Sequence, residues 1–123
     1  MENYAGADQH KNVTQLAVLR ERKPPSQFRF SNDPHTVEGV LKRLPPGTKI
    51  AVEATGNWWW FVDKVRELGH EAYLSHPKQT KAIASARLKS DKVDAPMLAR
   101  LLKGDLLPTV WIPGERERYV REL

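Results

Sequence analysis

Four acidic side chains occupy positions from which carboxylates could do chemistry together. Asp8 follows a short apolar segment, and Glu53 lies inside an apolar run where an unpaired carboxylate would be costly. Asp91 and Asp94 are three residues apart, a spacing that places two side chains on one face of a helix. Carboxylates that converge repel one another unless a dication neutralises them. The set therefore points to a metal site with oxygen ligands, which suits Mg²⁺ or Mn²⁺.

Two such ions, about 4 Å apart, activate a nucleophile and stabilise a leaving oxygen when a phosphodiester is attacked. The sequence has no cysteine, which excludes a disulfide scaffold, thiolate zinc sites and cysteine nucleophiles. Its histidines lack the spacing of imidazole ligands and are expected to be structural or on the surface. His10 differs from the others because it is close enough to Asp8 in the sequence to touch a substrate bound there.

Each of the four acids also has an ordinary structural explanation. Helix starts favour aspartate whatever the function, because the helix dipole stabilises negative charge there, and this would account for Asp91 and Asp94. Glu53 could be a strand-end acid that faces solvent, and Asp8 could be a solvated acid at the point where a strand stops. These explanations stay open for each residue alone, so the catalytic hypothesis depends on the four converging.

The apolar pattern predicts an α/β domain in the order βββαβαβαα. Strands are expected at 4–7, 13–19, 28–30, 49–54 and 72–74, and helices at about 34–44, 58–68, 76–86 and 91–103. Pro24 and Pro25 are expected to break the chain before the third strand. A hairpin meander followed by βαβ units implies a mixed sheet with helices on its faces. With the first and fourth strands as neighbours, Asp8 and Glu53 would emerge side by side, and a helix on that face could bring Asp91 and Asp94 opposite them.

Basic residues are concentrated in the segment 78–103. The whole chain of 123 residues carries 20 Lys+Arg against 15 Asp+Glu, a formal net charge of +5, whereas this segment has seven basic and two acidic residues. Such a run is either a solvated helix face or a set of phosphate contacts. We favour nucleic acid, because the segment flanks the candidate acids. The residues expected to bind it are Lys11, Lys78, Lys81, Arg87, Lys89 and Lys92.

Four aromatic residues follow one another at Trp58–Phe61, and they cannot all face one side of a helix. Trp60 and Phe61 are expected to pack in the core. Trp58 and Trp59 could stack on bases or contact another domain.

Three segments of the sequence resemble a known family. The first is Tyr4–Lys11, an apolar strand that ends in Asp and is followed by His-Lys; the second is Val52–Trp58, which reads Glu-Ala-Thr-Gly after its first residue; the third is Lys89–Ala95, with Ser-Asp-Lys-Val-Asp-Ala. In this order and spacing they are similar to the amino-terminal RuvC-like (RNase H-like) domain of the DEDD transposases. These are bridge-RNA-guided insertion-sequence recombinases that include pilin-gene-inverting recombinases. Ala7 and Gln9 depart from the family pattern, which has a larger aliphatic residue and Val at those positions.

The resemblance implies a role for each of the four acids. It assigns Asp8, Glu53, Asp91 and Asp94 as both catalytic and metal-binding residues, with Mg²⁺ as the cofactor and Mn²⁺ as the alternative. It also implies DNA as the substrate and a structured guide RNA as a partner of the full-length protein. Family members continue into a coiled coil and a domain that bears a nucleophilic serine. We therefore expect residues 1–112 to form the catalytic domain and residues 113–123 to begin a truncated helical segment.

The resulting hypothesis is a transposase or site-specific DNA recombinase domain that is incomplete without a serine-bearing domain. We expect a cytoplasmic protein with no membrane segment, whose full-length form is a homo-oligomer and whose 123-residue piece associates weakly. Two alternatives remain. The chain could be a nucleic-acid-binding fragment without catalysis, or a self-sufficient RuvC-like nuclease that cleaves branched DNA with water as the nucleophile.

Overall fold

The strands and helices follow the predicted order, with one short strand added at the end. The computed structural model of the protein describes residues 2–54, 58–90 and 92–112. The strands are β1 Tyr4–Gln9, β2 Val13–Arg20, β3 Lys23–Ser31, β4 Lys49–Glu53, β5 Glu71–Ser75 and β6 Thr109–Val110. The helices are α1 Pro34–Lys42, α2 Trp59–Glu67, α3 Pro77–Leu88 and α4 Ala95–Lys103. In the described part of the chain, no helix is long and apolar enough to cross a membrane.

All six strands belong to one mixed sheet in the order β3-β2-β1-β4-β5-β6. The central strand β1 pairs antiparallel with β2 and parallel with β4, and β5 continues the parallel part of the sheet. The meander followed by parallel strands confirms the predicted α/β class and agrees with an RNase H-like fold. The expected neighbourhood of the first and fourth strands is also confirmed.

The two faces of the sheet are covered by different helices. Successive side chains of a strand point to opposite faces, and Ala5 and Ala7 of β1 join the core formed with α1 and α2. Gly6, which lies between them, faces α4, because a Cβ atom added there would meet the backbone of that helix. Helix α4 packs mainly on β1 and β2. The face occupied by α4 therefore carries the even-numbered residues of β1, including Asp8.

Buried His70 has the structural role that was expected of it. Its Nδ1 accepts a hydrogen bond from the backbone N–H of Thr48 at 3.3 Å, so its Nε2 carries the proton and donates to the carbonyl of Leu41 at 2.8 Å. The ring thereby joins the end of α1 to the start of β4. Gly69, just before it, has a φ of 84° and follows the end of α2, which is the position and conformation of a capping glycine.

The prediction for the third strand is wrong at its start. It was expected at 28–30, after a break at Pro24 and Pro25, but β3 begins at Lys23 and contains both prolines. Proline is tolerated here because β3 is an edge strand, where a missing N–H need not interrupt the ladder. The pairing with β2 is irregular between Val18 and Arg20, opposite the prolines.

The predicted start of the last helix, at residue 91, is also wrong, because α4 begins at Ala95. Asp94 is its N-cap, with extended backbone and a side chain that accepts a hydrogen bond from the N–H of Met97 at 3.0 Å. A helix that began at 91 would hold Pro96 in its second turn, where proline lacks the required N–H and clashes with the preceding turn. Within the first turn proline is acceptable, so the helix starts one residue before it.

Candidate active site

Asp8 and Glu53 lie next to each other at the ends of two adjacent parallel strands. The last paired residues of β1 and β4 are Ala7 and Val52, so the two acids follow in the same register. Neighbouring strands are about 4.8 Å apart. Alternation places Asp8 on the face of Gly6 and Glu53 on the face of Ala51, the sheet face that α4 covers. The sequence-based expectation that these two acids emerge side by side is thus met by the strand register.

The surroundings of Glu53 are unfavourable for its negative charge. Burial raises the pKa of its carboxyl, the charge of Asp8 raises this pKa further, and His10 opposes the shift only partly. The ring of His10 contacts the Asp8 carboxylate, with 3.3 Å between Nε2 and Oδ2, and is far more exposed than Asp8. One exposed imidazole only partly offsets the two carboxylates, so binding of an additional cation would be electrostatically favourable here.

A buried hydroxyl completes this end of the sheet. Ser75, the last residue of β5, pairs in register with Glu53. It is fully buried, and its Oγ has no hydrogen-bond partner among the described residues. The donor set of two carboxylates with a neighbouring hydroxyl, all oxygen, fits a hard dication such as Mg²⁺. Sequence reasoning missed Ser75, although it directly follows an apolar strand on the carboxyl side, as Asp8 does.

The start of α4, which Asp94 caps, packs on β1. A Cβ atom on Gly6 would collide with the carbonyl oxygen of Ala95 and would lie 2.7 Å from the nitrogen of Ala99. The first turn of α4 thus rests on the backbone of β1, two residues before Asp8. The helix then runs antiparallel to β1, because its last turn lies near the end of β2.

The structure brings together only two of the four predicted acids. Asp8 and Glu53 are brought together, whereas Asp94 is engaged as the cap of α4, and Asp91 lies outside the described residues. Across residues 2–54, 58–90 and 92–112, no group of three or more acidic or histidine side chains could hold a metal ion. Asp8, Glu53 and Asp94 are all within these ranges, so Asp94 does not form such a group with the two strand-end acids.

The predicted nucleic-acid-binding residues are all exposed. Lys11 is in the turn after β1, close to Asp8 in the chain, and Lys92 precedes the cap of α4. Ser90 holds the backbone of Lys92 through hydrogen bonds to its nitrogen and carbonyl. The others lie on α3 or at its end, namely Lys78, Lys81, Arg87 and Lys89. Their role in binding stays a prediction.

The aromatic run is divided between the core and a stacked pair. Phe61 is fully buried and meets Trp60 edge to face, which confirms the core placement expected for both. Trp58 and Trp59 stack on each other with 5.3 Å between ring centroids. Trp58 also packs against the core.

Comparison with protein families identifies the chain. The model of the IS110-type DEDD transposases, described as "Transposase", matches residues 5–123. The chain belongs to the DEDD transposase family. Among curated proteins, "Putative transposase y4qE" of Sinorhizobium fredii (strain NBRC 101917 / NGR234) is 37% identical over 59 residues. That match covers 48% of this chain and 15% of the relative. Family membership confirms the resemblance.

The transposase chain should become more stable when Glu53 loses its charge. The pKa of Glu53 is raised in the folded state, so the native chain binds more protons than the unfolded chain, and stability falls as the pH rises through this range. In EDTA, Glu53→Gln should therefore raise the urea midpoint at about pH 7.5. The gain should disappear at about pH 4, below the ordinary Glu value of about 4.3.

The control for this prediction is Glu21→Gln, at an exposed position in the β2–β3 turn. Its urea midpoint should follow that of the wild-type chain at both pH values. A Glu53→Gln variant that is less stable than the wild-type chain at about pH 7.5 would contradict the inference that the surroundings disfavour the charge of Glu53.

Proposed function

We propose that this chain is the catalytic domain of a site-specific DNA recombinase that cleaves and transfers strands with Mg²⁺. Asp8, Glu53, Asp91 and Asp94 would hold the ion. The observation that carries the proposal is the register of Asp8 and Glu53, which end adjacent parallel strands on the sheet face where α4 begins. The charge of Glu53 has no evident role in stability, because burial and the charge of Asp8 both raise its pKa.

The bound metal would polarise the scissile phosphodiester and lower the barrier to attack on phosphorus. The residues of this chain would form the binding site for that metal. Strand pairing holds Asp8 and Glu53 in a fixed relation, so that both carboxylates are available without rearrangement. His10 contacts Asp8 and would lie close to a substrate bound there. Mn²⁺ is the useful probe, since it accepts the same oxygen ligands.

The exposed cations Lys11, Lys78, Lys81, Arg87, Lys89 and Lys92 would contact phosphates on either side of the acids. The relative named above is several times longer than the matched region. We propose that completion of strand exchange needs parts beyond this segment. We further propose that a serine-bearing domain, a structured guide RNA and a homo-oligomer belong to the complete recombinase. The 123-residue chain alone would associate weakly.

A second candidate is nucleic-acid binding without catalysis. It is favoured by one observation, that the six predicted cations are all exposed and could contact phosphates whether or not a metal binds. Metal binding decides between the two. A chain that binds DNA but takes up no Mn²⁺ would be a binding module.

Two substitutions at Asp94 separate its structural role from its proposed metal role. Asp94→Asn keeps an N-cap acceptor and should leave stability within about 0.5 kcal/mol, whereas Asp94→Ala should cost about 1 kcal/mol. Both should weaken Mn²⁺ binding by at least about tenfold, measured by calorimetry. If Asp94→Asn bound Mn²⁺ like the wild-type chain, Asp94 would be a cap and nothing more.

A further inference from the structure

A second site lies at the opposite end of α4 from the acids. There, a cavity of about 530 Å³ opens between the β2–β3 hairpin and the last turn of the helix. Four of its lining residues are cations, Arg20, Lys23, Arg100 and Lys103, and none is acidic. All four are exposed to solvent. Two distant parts of the sequence thus direct positive charge toward one opening.

Only half of this charge has an explanation within the fold. Arg100 and Lys103 are in the last turn of α4, where cations offset the negative end of the helix dipole. Arg20 and Lys23 flank a β-turn, so no helix end accounts for them. Arg20 donates from Nε to the carbonyl of Pro24 at 2.8 Å, which anchors the guanidinium beside the cavity. This anchoring reduces the entropy that the side chain would lose on binding an anion.

The four cations are not neutralised by carboxylates of the described part of the chain. The ion pairs there involve other lysines and His10. Glu21 and Asp105 are near in sequence but do not line the cavity. Like charges gathered without partners repel one another, and an anion that binds among them relieves this repulsion.

We propose that this cavity binds the phosphate backbone of the DNA substrate, at a second contact separate from the acidic site. Helix α4 has 9 residues and so spans about 13 Å, which is about four base-pair steps. A duplex engaged at the acids therefore extends far enough to reach the cavity. The acidic end repels DNA when no metal is bound, whereas the basic end attracts it. The inference rests on the proposed DNA substrate but not on metal-dependent catalysis.

Anisotropy of a labelled DNA duplex in EDTA tests this site, with salt varied between about 50 and 200 mM. The pocket variant is Lys23→Gln with Arg100→Gln, which removes one charge from each side of the cavity. The control is Arg43→Gln with Arg66→Gln, exposed positions at the ends of α1 and α2 that remove the same charge from the other sheet face. Urea midpoints close to that of the wild-type chain establish that both variants are folded.

The pocket variant should bind the duplex on the order of tenfold or more weakly at low salt. The slope of log K against log salt should become less steep by about 1.8, which corresponds to two lost phosphate contacts. The affinity of the control should stay within about twofold of that of the wild-type chain. Equal losses in the two variants, or an unchanged slope in the pocket variant, would overturn the proposal. So would a loss confined to structured RNA, since the cavity would then serve a different polymer. Because EDTA removes the metal, failure here is distinct from failure of the catalytic proposal.

Discussion

Asp8→Asn should abolish divalent-ion binding and reduce metal-dependent DNA cleavage by about 10³-fold or more. Asn keeps the size of the side chain and removes the charge that converges with Glu53 at the end of the sheet. Stabilisation of transition-state charge by a bound metal is worth several kcal/mol, and each 1.4 kcal/mol is a factor of ten in rate. Calorimetric titration of this chain with Mn²⁺ measures the binding, and DNA cleavage in Mg²⁺ by the complete recombinase that carries the substitution measures the activity.

The loss should occur without unfolding. The charge of Asp8 is one of the causes that raise the pKa of Glu53, so its removal relieves a repulsion in the folded state. Asp105→Asn is the matched control, at an exposed aspartate with a φ of 57° that asparagine also adopts readily. This control should bind Mn²⁺ and cleave DNA as the wild-type chain does. If Asp8→Asn retained full Mn²⁺ affinity, the metal site would not be at these strand ends.

Gly6→Ala should destabilise the fold by about 3 kcal/mol or more. The added methyl group would collide with the carbonyl oxygen of Ala95 and lie 2.7 Å from the nitrogen of Ala99. These are backbone atoms of α4, so no change of rotamer relieves the collision, and the helix must move away from β1. Small domains are stable by about 5–15 kcal/mol, so the loss is a large part of the total. Urea unfolding followed by circular dichroism measures it.

Gly39→Ala is the control and should change stability in the opposite direction. Gly39 is inside α1, and no atom lies within 4 Å of an added Cβ. Alanine is preferred to glycine within a helix by about 0.5–1 kcal/mol, so this variant should be more stable by that amount. A Gly6→Ala chain with a wild-type midpoint would show that α4 does not rest on β1 as described.

Local patterns were sufficient to predict the order of elements and the pairing of Asp8 with Glu53. Apolar runs between turn residues identify strands, and a meander followed by βαβ units made the first and fourth strands candidate neighbours, which the sheet order confirms. The patterns were insufficient where a tertiary contact decides. The role of Gly6 depends on a helix almost ninety residues later in the chain. The residues around Gly6 do not indicate that a helix packs there.

The remaining errors have similar physical causes. Prolines at 24 and 25 suggested a break, because the sequence does not reveal that β3 is an edge strand. Pro96 did contain the signal for the true start of α4, but the acids before it suggested an earlier helix. The basic cavity was missed because its charges come from two separate segments. Arg100 and Lys103 lie in the basic segment 78–103 that the sequence singled out, whereas Arg20 and Lys23 alone look like an ordinary turn.

The two prolines of β3 have a consequence for how copies of this chain meet. Successive residues of a strand direct their N–H groups to alternate sides, so one of two adjacent prolines removes a donor from the open edge of the sheet. The same strand carries Phe28, which is 41% exposed and would become more buried if another strand paired with β3. An edge without a continuous row of donors is a poor template for β-pairing. This edge of the sheet is thus poorly suited to β-pairing with a second copy of the chain.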